Sequence, residues 1–200
     1  MFTGIIETTG IVNEIIPNGS NLTFWIESPI SGELKVDQSV SHDGVCLTVE
    51  EIKGKTYRVT AIPETLNKTA LGNWRTGSHV NMERSLALSQ RLDGHFVQGH
   101  ADCTGTCLKK EETSGSWLFR FSFPEKFAAL VIEKGSVAVN GISLTCFDVT
   151  LNEFSVAIIP YTFSHTNLGK LNKGEKVNLE FDMIGKYIAR KIDLSQNDFK

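Results

Sequence analysis

The chain has 200 residues, 40% of them hydrophobic, with a mean hydropathy of −0.10, which is apolar material enough for one ordinary domain or two small ones. Its formal charge is −3, and its 20 Lys and Arg are scattered, which excludes a basic nucleic-acid-binding surface. No apolar run is long enough to span a bilayer and no basic-then-apolar leader is present, so Met1-Phe2-Thr3-Gly4 reads as a mature start and the four cysteines are expected as reduced thiols in the cytoplasm.

Helical periodicity is weak and strand signals are strong. Taken in order, the chain predicts a strand over Asn21–Glu27, a short helix over 29–34, a strand over 45–52 and a short helix over 66–71. Beyond these come a strand over 118–123, a helix over 124–133, a strand over 154–159, a short helix over 163–168 and a helix over the last fifteen residues. In that final segment Ile184, Tyr187, Ile188 and Ile192 recur on one helical face, while Lys186, Arg190 and Lys191 lie off it. Gly, Asn, Asp and Pro turns between the short strands point to an all-β fold of barrels or sandwiches.

The organising feature is an internal repeat. Residues 39–49 laid over 136–146, an offset of 97, share five identities in eleven positions, and 59–83 over 156–180 share eleven in twenty-five. That is 16 of 36, where about one in twenty is expected by chance. Pro63/Pro160, Gly72/Gly169 and Gly77/Gly174 are among the repeated turn-formers, and a weaker match at offset 95 aligns Gly4 and Gly10 with Gly99 and Gly105. The chain therefore reads as two self-contained barrels meeting near residues 89–93, since a solenoid needs more and shorter repeats.

A duplicated fold permits subtraction. Positions alike in both halves serve the fold or a ligand common to both, and polar positions that differ are candidates for roles of one half alone. Strand alternation sends Val45, Leu47 and Val49 to the core and Cys46 and Thr48 to the other face; Ile142, Leu144 and Cys146 go inward where Ser143 and Thr145 go outward. A single outward polar pair is the ordinary solvent face of a strand. Its recurrence directly after Gly44 and Gly141 is the pattern of a ligand floor. The subtraction then picks out Cys46 (against Ser143), Lys134 (against Asp37), Glu64 (against Tyr161), Asp182 (against Ser85) and His100 (against Ile5). His100, Cys103 and Cys107 lie close in sequence, but alternation separates His100 from both cysteines and their spacing is not that of a zinc knuckle, so no metal is expected. No dinucleotide or phosphate-loop fingerprint is present.

Met1-Phe2-Thr3-Gly4-Ile5-Ile6-Glu7, Gly44-Val45-Cys46-Leu47-Thr48, Gly94-His95-Phe96-Val97-Gln98-Gly99-His100 and Asn140-Gly141-Ile142-Ser143-Leu144-Thr145 resemble the signatures of the riboflavin synthase family, as do Ile62-Pro63-Glu64-Thr65 and Ile159-Pro160-Tyr161-Thr162. The likeness runs from Met1 to about Ile188. It implies two six-stranded Greek-key barrels, over residues 1–90 and 91–185, with a trimerisation helix over 186–200. It implies a dismutation in which two 6,7-dimethyl-8-ribityllumazine molecules exchange a four-carbon unit, with no metal or redox cofactor, in a cytoplasmic homotrimer that has lumazine synthase as a partner.

Carried over by motif, the first-half lumazine pocket comprises Gly4, Ile5, Ile6, Cys46, Leu47, Thr48, Thr60, Ala61, Ile62, Pro63, Glu64 and Thr65. The second comprises Gly99, His100, Ala101, Lys134, Ser143, Leu144, Thr145, Ile159, Pro160, Tyr161, Thr162, Phe163 and Ser164. Ser39, Cys46, His100 and Asp182 match the catalytically implicated positions, in an active site shared between neighbouring subunits. His100 is the natural acid or base near neutrality and ranks above Cys46, because a thiol is mostly protonated there. Asp93 and Tyr161 depart from the family pattern. The alternative within the same fold is a non-catalytic fluorescent protein that holds lumazine or flavin; those binders have lost the polar residues at the positions of Cys46 and His100, which this chain keeps.

Overall fold

A computed structural model describes residues 1–197 of the chain. The first half forms one antiparallel sheet from β1 (Thr8–Asn18), β2 (Asn21–Glu27), β3 (Ser39–His42), β4 (Val45–Thr48), β5 (Glu51–Lys53), β6 (Thr56–Ala61) and β7 (His79–Arg84), in the order β4-β3-β7-β1-β2-β6-β5. The second half repeats it with β8 (Cys103–Thr113), β9 (Ser116–Ser122), β10 (Ser136–Val139), β11 (Ile142–Thr145), β12 (Glu153–Ile158) and β13 (Lys176–Phe181), in the order β11-β10-β13-β8-β9-β12.

The all-β, tandem expectation holds. Neither sheet is a ring of ladder hydrogen bonds, however. The strand expected over 45–52 breaks at Val49 and Glu50, where Val49 N–H donates to Gln38 and Glu50 N–H to Arg58, so the chain itself carries one edge of the sheet round to the other. In the second half the equivalent join is the isolated bridge between Phe147 and Ser155. β1 and β8 each carry a register shift, at Val12/Glu14 and Cys107/Lys109, and the extra residue bends one long strand to serve two neighbours.

Each sheet curls around its own core. Phe24, Ile26, Val40, Tyr57, Val59, Val80 and Met82 fill the first, and Phe119, Phe121, Phe154, Val137, Val177 and Leu179 the second. The short helices start three residues earlier than expected: α1 (Pro63–Lys68) and α2 (Pro160–His165) begin at a proline, whose fixed φ and missing N–H suit the first helical position, and 3-10 turns Ala70–Asn73 and Asn167–Lys170 follow them. Helices expected over 29–34 and 124–133 are the 3-10 turns Ser31–Glu33 and Glu125–Leu130. The last helix, α3 (Met183–Asn197), starts earlier than expected because Asp182 Oδ1 accepts from Ile184 N–H and caps it; residues 198–200 of the expected helix lie outside the described residues. No helix among the described residues is long and apolar enough to cross a membrane.

The halves meet across a pseudo-twofold axis, and the bonds there are reciprocal. Asn81 Nδ2 donates to the Asn140 carbonyl (3.0 Å) and Asn178 Nδ2 to the Asp43 carbonyl (2.8 Å). Asn167 N–H donates to Asn81 Oδ1 (2.7 Å) and Ala70 N–H to Asn178 Oδ1 (2.6 Å). On the axis Gly44 and Gly141 touch backbone to backbone, at φ +77° and +79°, and a Cβ on either meets the other's nitrogen at 2.7 Å. The close approach expected at these glycines is thus barrel against barrel, not barrel against ligand. Gly141→Ala is expected to destabilise the chain by about 1–3 kcal/mol through overpacking, on top of the left-handed strain. Gly19→Ala, at φ +61° with open space around it, carries the strain alone and is the control; denaturant midpoints compare the two, and equal losses would refute the backbone contact.

Candidate functional site

Two equivalent faces stand at the free edges of the sheets. β4 pairs with β3 so that Ser39 lies opposite Thr48 and Ser41 opposite Cys46; β11 pairs with β10 so that Ser136 lies opposite Thr145 and Ala138 opposite Ser143. β4 and β11 are edge strands, and each edge is covered by a segment from the other half of the chain. Cys46 N–H donates to the Gly99 carbonyl at 2.7 Å, and Ser143 N–H to the Gly4 carbonyl at 2.8 Å. The covering segments pair with each other through Phe2 and Val97, whose N–H and C=O groups are exchanged at 2.7 and 3.1 Å.

The crossing corrects the pocket assignment. Gly4 and Ile6 were expected in the first pocket, yet a Cβ on Gly4 meets Ser143 Cβ at 2.6 Å and Ile6 packs on the second core. Gly99 and Ala101 were expected in the second, yet a Cβ on Gly99 meets Cys46 Cβ at 2.8 Å and Ala101 packs on the first core. The first face therefore joins Cys46-Leu47-Thr48 and Ser39 with Gly99-His100-Ala101, and the second joins Ser143-Leu144-Thr145 with Gly4-Ile5-Ile6. Of the four residues marked for catalysis, Ser39 and Cys46 lie on the paired strands β3 and β4, and His100 follows Gly99, whose carbonyl meets the Cys46 N–H. Asp182 belongs with the second face: it caps α3 and its charge acts on His95, which is bonded to Ser143.

Two buried carboxylates hold the covers in place. Glu83 Oε1 accepts from the N–H and the hydroxyl of Thr3 (2.6 and 2.7 Å), and Oε2 from Gly4 N–H (2.9 Å). Glu180 Oε1 accepts from Gln98 N–H (2.6 Å), and Oε2 from Gly99 and His100 N–H (2.9 and 2.8 Å). Burial pushes both carboxyls above the usual range, and the bonds they accept oppose it. Sequence subtraction passed over this pair because the glutamates are alike in both halves, although Val80-Asn81-Met82-Glu83 recurring as Val177-Asn178-Leu179-Glu180 was the available signal.

The remaining expected residues frame the faces unevenly. Ala61 is wholly buried and offers only main chain, and Thr60 Oγ1 is engaged with Thr23 (2.9 Å) and Glu50 (3.1 Å). Ile62, Pro63 and Glu64 are exposed and Thr65 partly so; Glu64 binds Lys68 at 2.8 Å. At the matching positions of α2, Tyr161 stacks on His165 at 4.0 Å, beside exposed Ile159 and Pro160. Thr162 accepts from the Thr166 hydroxyl through its carbonyl, Phe163 stacks on Trp117 at 3.8 Å, and Ser164 is exposed. Lys134 sits at φ +63° with its ammonium 5.4 Å from the Phe147 ring centre.

Cys103 and Cys146 are core residues whose thiols burial pushes up to about 12, and Cys107 is raised in the same way; of the four, Cys46 is the one only partly buried. Among the described residues no group of three or more His, Cys, Asp and Glu is placed to hold a metal ion. His95 is the residue that the sequence reading left unassigned: it is buried, and its Nδ1 lies 2.7 Å from Ser143 Oγ.

The profile of the lumazine binding domain family matches residues 3–85 and again 98–182. The riboflavin synthase of Bacillus subtilis (strain 168) is 37% identical over 191 residues, covering 95% of this chain and 89% of that protein. The riboflavin synthase of Mycobacterium tuberculosis (strain ATCC 25618 / H37Rv) is 39% identical over 197 residues, covering 95% and 97%. Among solved structures, LumP complexed with riboflavin superposes with a TM-score of 0.84 at 23% identity, over 90% of this chain and 99% of that one, a likeness of fold.

Replacing Glu180 by Gln turns one of its two acceptor oxygens into an amide N–H2, set against either the Gln98 N–H or the Gly99 and His100 N–H donors. The variant is expected to lose about 2–3 kcal/mol, the scale of a hydrogen-bonded buried charge, and to speed amide hydrogen exchange at Gly99 and His100 while Thr3 and Gly4 keep their protection. Unchanged exchange at Gly99 would show that the carboxylate is not the anchor.

Proposed function

The chain belongs to the lumazine binding domain family, and from that premise we propose that it is a riboflavin synthase. Two 6,7-dimethyl-8-ribityllumazine molecules are bound, one on each kind of face, and a four-carbon unit passes between them to give riboflavin and 5-amino-6-ribitylamino-pyrimidinedione. The observation that carries this reading is the pair of equivalent but chemically unlike faces: Cys46, whose N–H meets the Gly99 carbonyl beside His100, on one, and Ser143, bonded to His95, on the other. Joining two identical substrates calls for two similar pockets, and unlike polar groups let one molecule give what the other takes. Holding both in register supplies on the order of 7–11 kcal/mol at best. A non-catalytic lumazine or flavin binder is the other reading of this fold. The enzymes at 37% and 39% identity favour catalysis, whereas the 23% likeness to LumP speaks for the fold alone.

His100 is the group assigned to move the proton of the acidic 7-methyl; its main chain is held by Glu180 and the residue is exposed. Cys46 contacts or adds to the ring, and Lys134 and Asp182 set charge around the developing anion. Ser39, opposite Thr48, completes the polar side of the first face. The four unpaired cysteines suit the cytoplasm, and a lumazine synthase, the source of the substrate, is the protein partner this reading carries. The protein supplied with the lumazine alone is expected to form riboflavin, seen by its absorbance, and His100→Gln to lower turnover roughly a hundredfold, the usual scale for a lost acid–base group. A wild-type protein that binds the lumazine and leaves it unchanged would establish the binder instead.

Assembly as a homotrimer, with each active site formed by the first face of one subunit and the second face of a neighbour, is supported by α3. Its first turn is tied down by Lys186 to Asp102 at 2.6 Å, while Ile184, Tyr187, Ile188 and Ile192 are each half exposed or more. A helix of this length is marginal alone in water and needs a partner for that stripe. Removing residues 187–200 is expected to leave folded barrels that sediment as monomers, with activity that falls and rises with protein concentration. A fully active monomer would overturn the shared site.

A further inference from the structure

The two faces differ in one device that the repeat does not supply twice. His95 lies outside the stretches that the repeat aligns. Its seat is built for it. Gly94 lies so close to the Thr3 carbonyl that a Cβ would meet the oxygen, and it would also meet Ser143 Cβ at 3.0 Å. His95 N–H donates to that same Thr3 carbonyl at 3.1 Å, and the imidazole Nδ1 reaches Ser143 Oγ at 2.7 Å. The residue is 8% exposed, and its Nε2 has no hydrogen-bond partner among the described residues.

We propose that His95 is a positioning residue for the second pocket: it donates its Nδ1 proton to Ser143 Oγ and so turns the Ser143 hydroxyl proton outward, as a donor to a carbonyl or ring nitrogen of the heterocycle held there. The tautomer follows from the cost of the alternatives. An orphaned buried N–H is more costly than an orphaned lone pair, so the proton belongs on Nδ1, which has a partner, and the lone pair on Nε2, which has none. Burial keeps the imidazole neutral, since it lowers the His95 pKa against the opposing charge of Asp182. With its oxygen already accepting from His95, the Ser143 hydroxyl has one proton left and gives it to the face. Cys46, the counterpart of Ser143, packs instead against Phe2, Val97 and Ala138, and among the described residues no histidine is bonded to it. The two pockets are thereby made unlike: one has a fixed donor and the other a free thiol.

The inference rests on the proposed lumazine chemistry only for the identity of the acceptor, and its first test does not use activity. Nitrogen NMR of the full chain with ¹⁵N-labelled histidine is expected to show His95 with Nδ1 protonated and Nε2 bare; a protonated Nε2 with bare Nδ1 overturns the proposal whatever the enzyme does. The second test is a cycle on lumazine turnover. His95→Ala and Ser143→Ala are each expected to lower kcat/KM about tenfold, the worth of one good hydrogen bond. The double variant is expected to be no worse than either, and His95→Asn, whose Nδ2 stands near the imidazole Nδ1, to recover most of the loss. Additive losses, or no recovery in His95→Asn, overturn it. A wild-type chain that makes no riboflavin refutes the proposed function and leaves the tautomer result standing by itself.

Discussion

Everything at the two faces depends on a carboxylate buried under a turn of main chain. Glu83 and Glu180 each gather the N–H groups at a left-handed glycine, Gly4 or Gly99, and fold that segment down onto the barrel. A buried carboxylate without donors is prohibitively unfavourable, and a segment with unpaired N–H groups is unfavourable too; each solves the other's problem. The consequence is a carbonyl, on Gly4 or Gly99, directed at the free edge of the opposite barrel, where it completes the hydrogen bonding of Ser143 or Cys46. One electrostatic constraint, used twice, therefore anchors the cover, protects an exposed sheet edge and welds the halves together.

That arrangement makes the pair of barrels a single interlocked unit and not two beads on a string. Asn81 and Asn178 reach across the axis to the partner half, and Gly44 and Gly141 meet where any side chain would hold the halves apart. Duplication gave the chain two copies of one face at no cost in new architecture. What distinguishes the copies is what lies outside the strict repeat: His95 upstream of one cover, His100 in place of Ile5, the Trp117–Phe163 stack beneath α2 where Leu22 and Leu66 occupy the first half. Chemistry that treats two identical molecules differently requires such differences, and they lie in the covers, in the helices and at Cys46 against Ser143 on the edge strands.

The all-β class, the duplication and the polar positions of β4 and β11 were legible in the sequence because each is a local or periodic property. Alternation along five residues decides which side of a strand is wet, and sixteen identities in 36 positions at one offset decide that the unit recurs. The short helices were misplaced because a proline reads as a break when it stands, as Pro63 and Pro160 do, at the first helical position. Subtraction found His100 and Cys46, since they differ between halves. It was blind to Glu83 and Glu180 for the same reason, being designed to discount what is shared.

What sequence by itself determined was the inventory: two like units, their cores, their turns and the residues able to do acid–base work. Which cover lies over which barrel was decided only in three dimensions. The repeat aligns Gly4 with Gly99 and so assigns each to its own half, and that is true of their anchoring carboxylates. Yet the pseudo-twofold axis runs between the halves, and a carbonyl leaving one side of it arrives at the edge strand of the other. Symmetry across an axis is a property of packing, set by where two glycines touch and four asparagine bonds form, and no pattern along the chain specifies it.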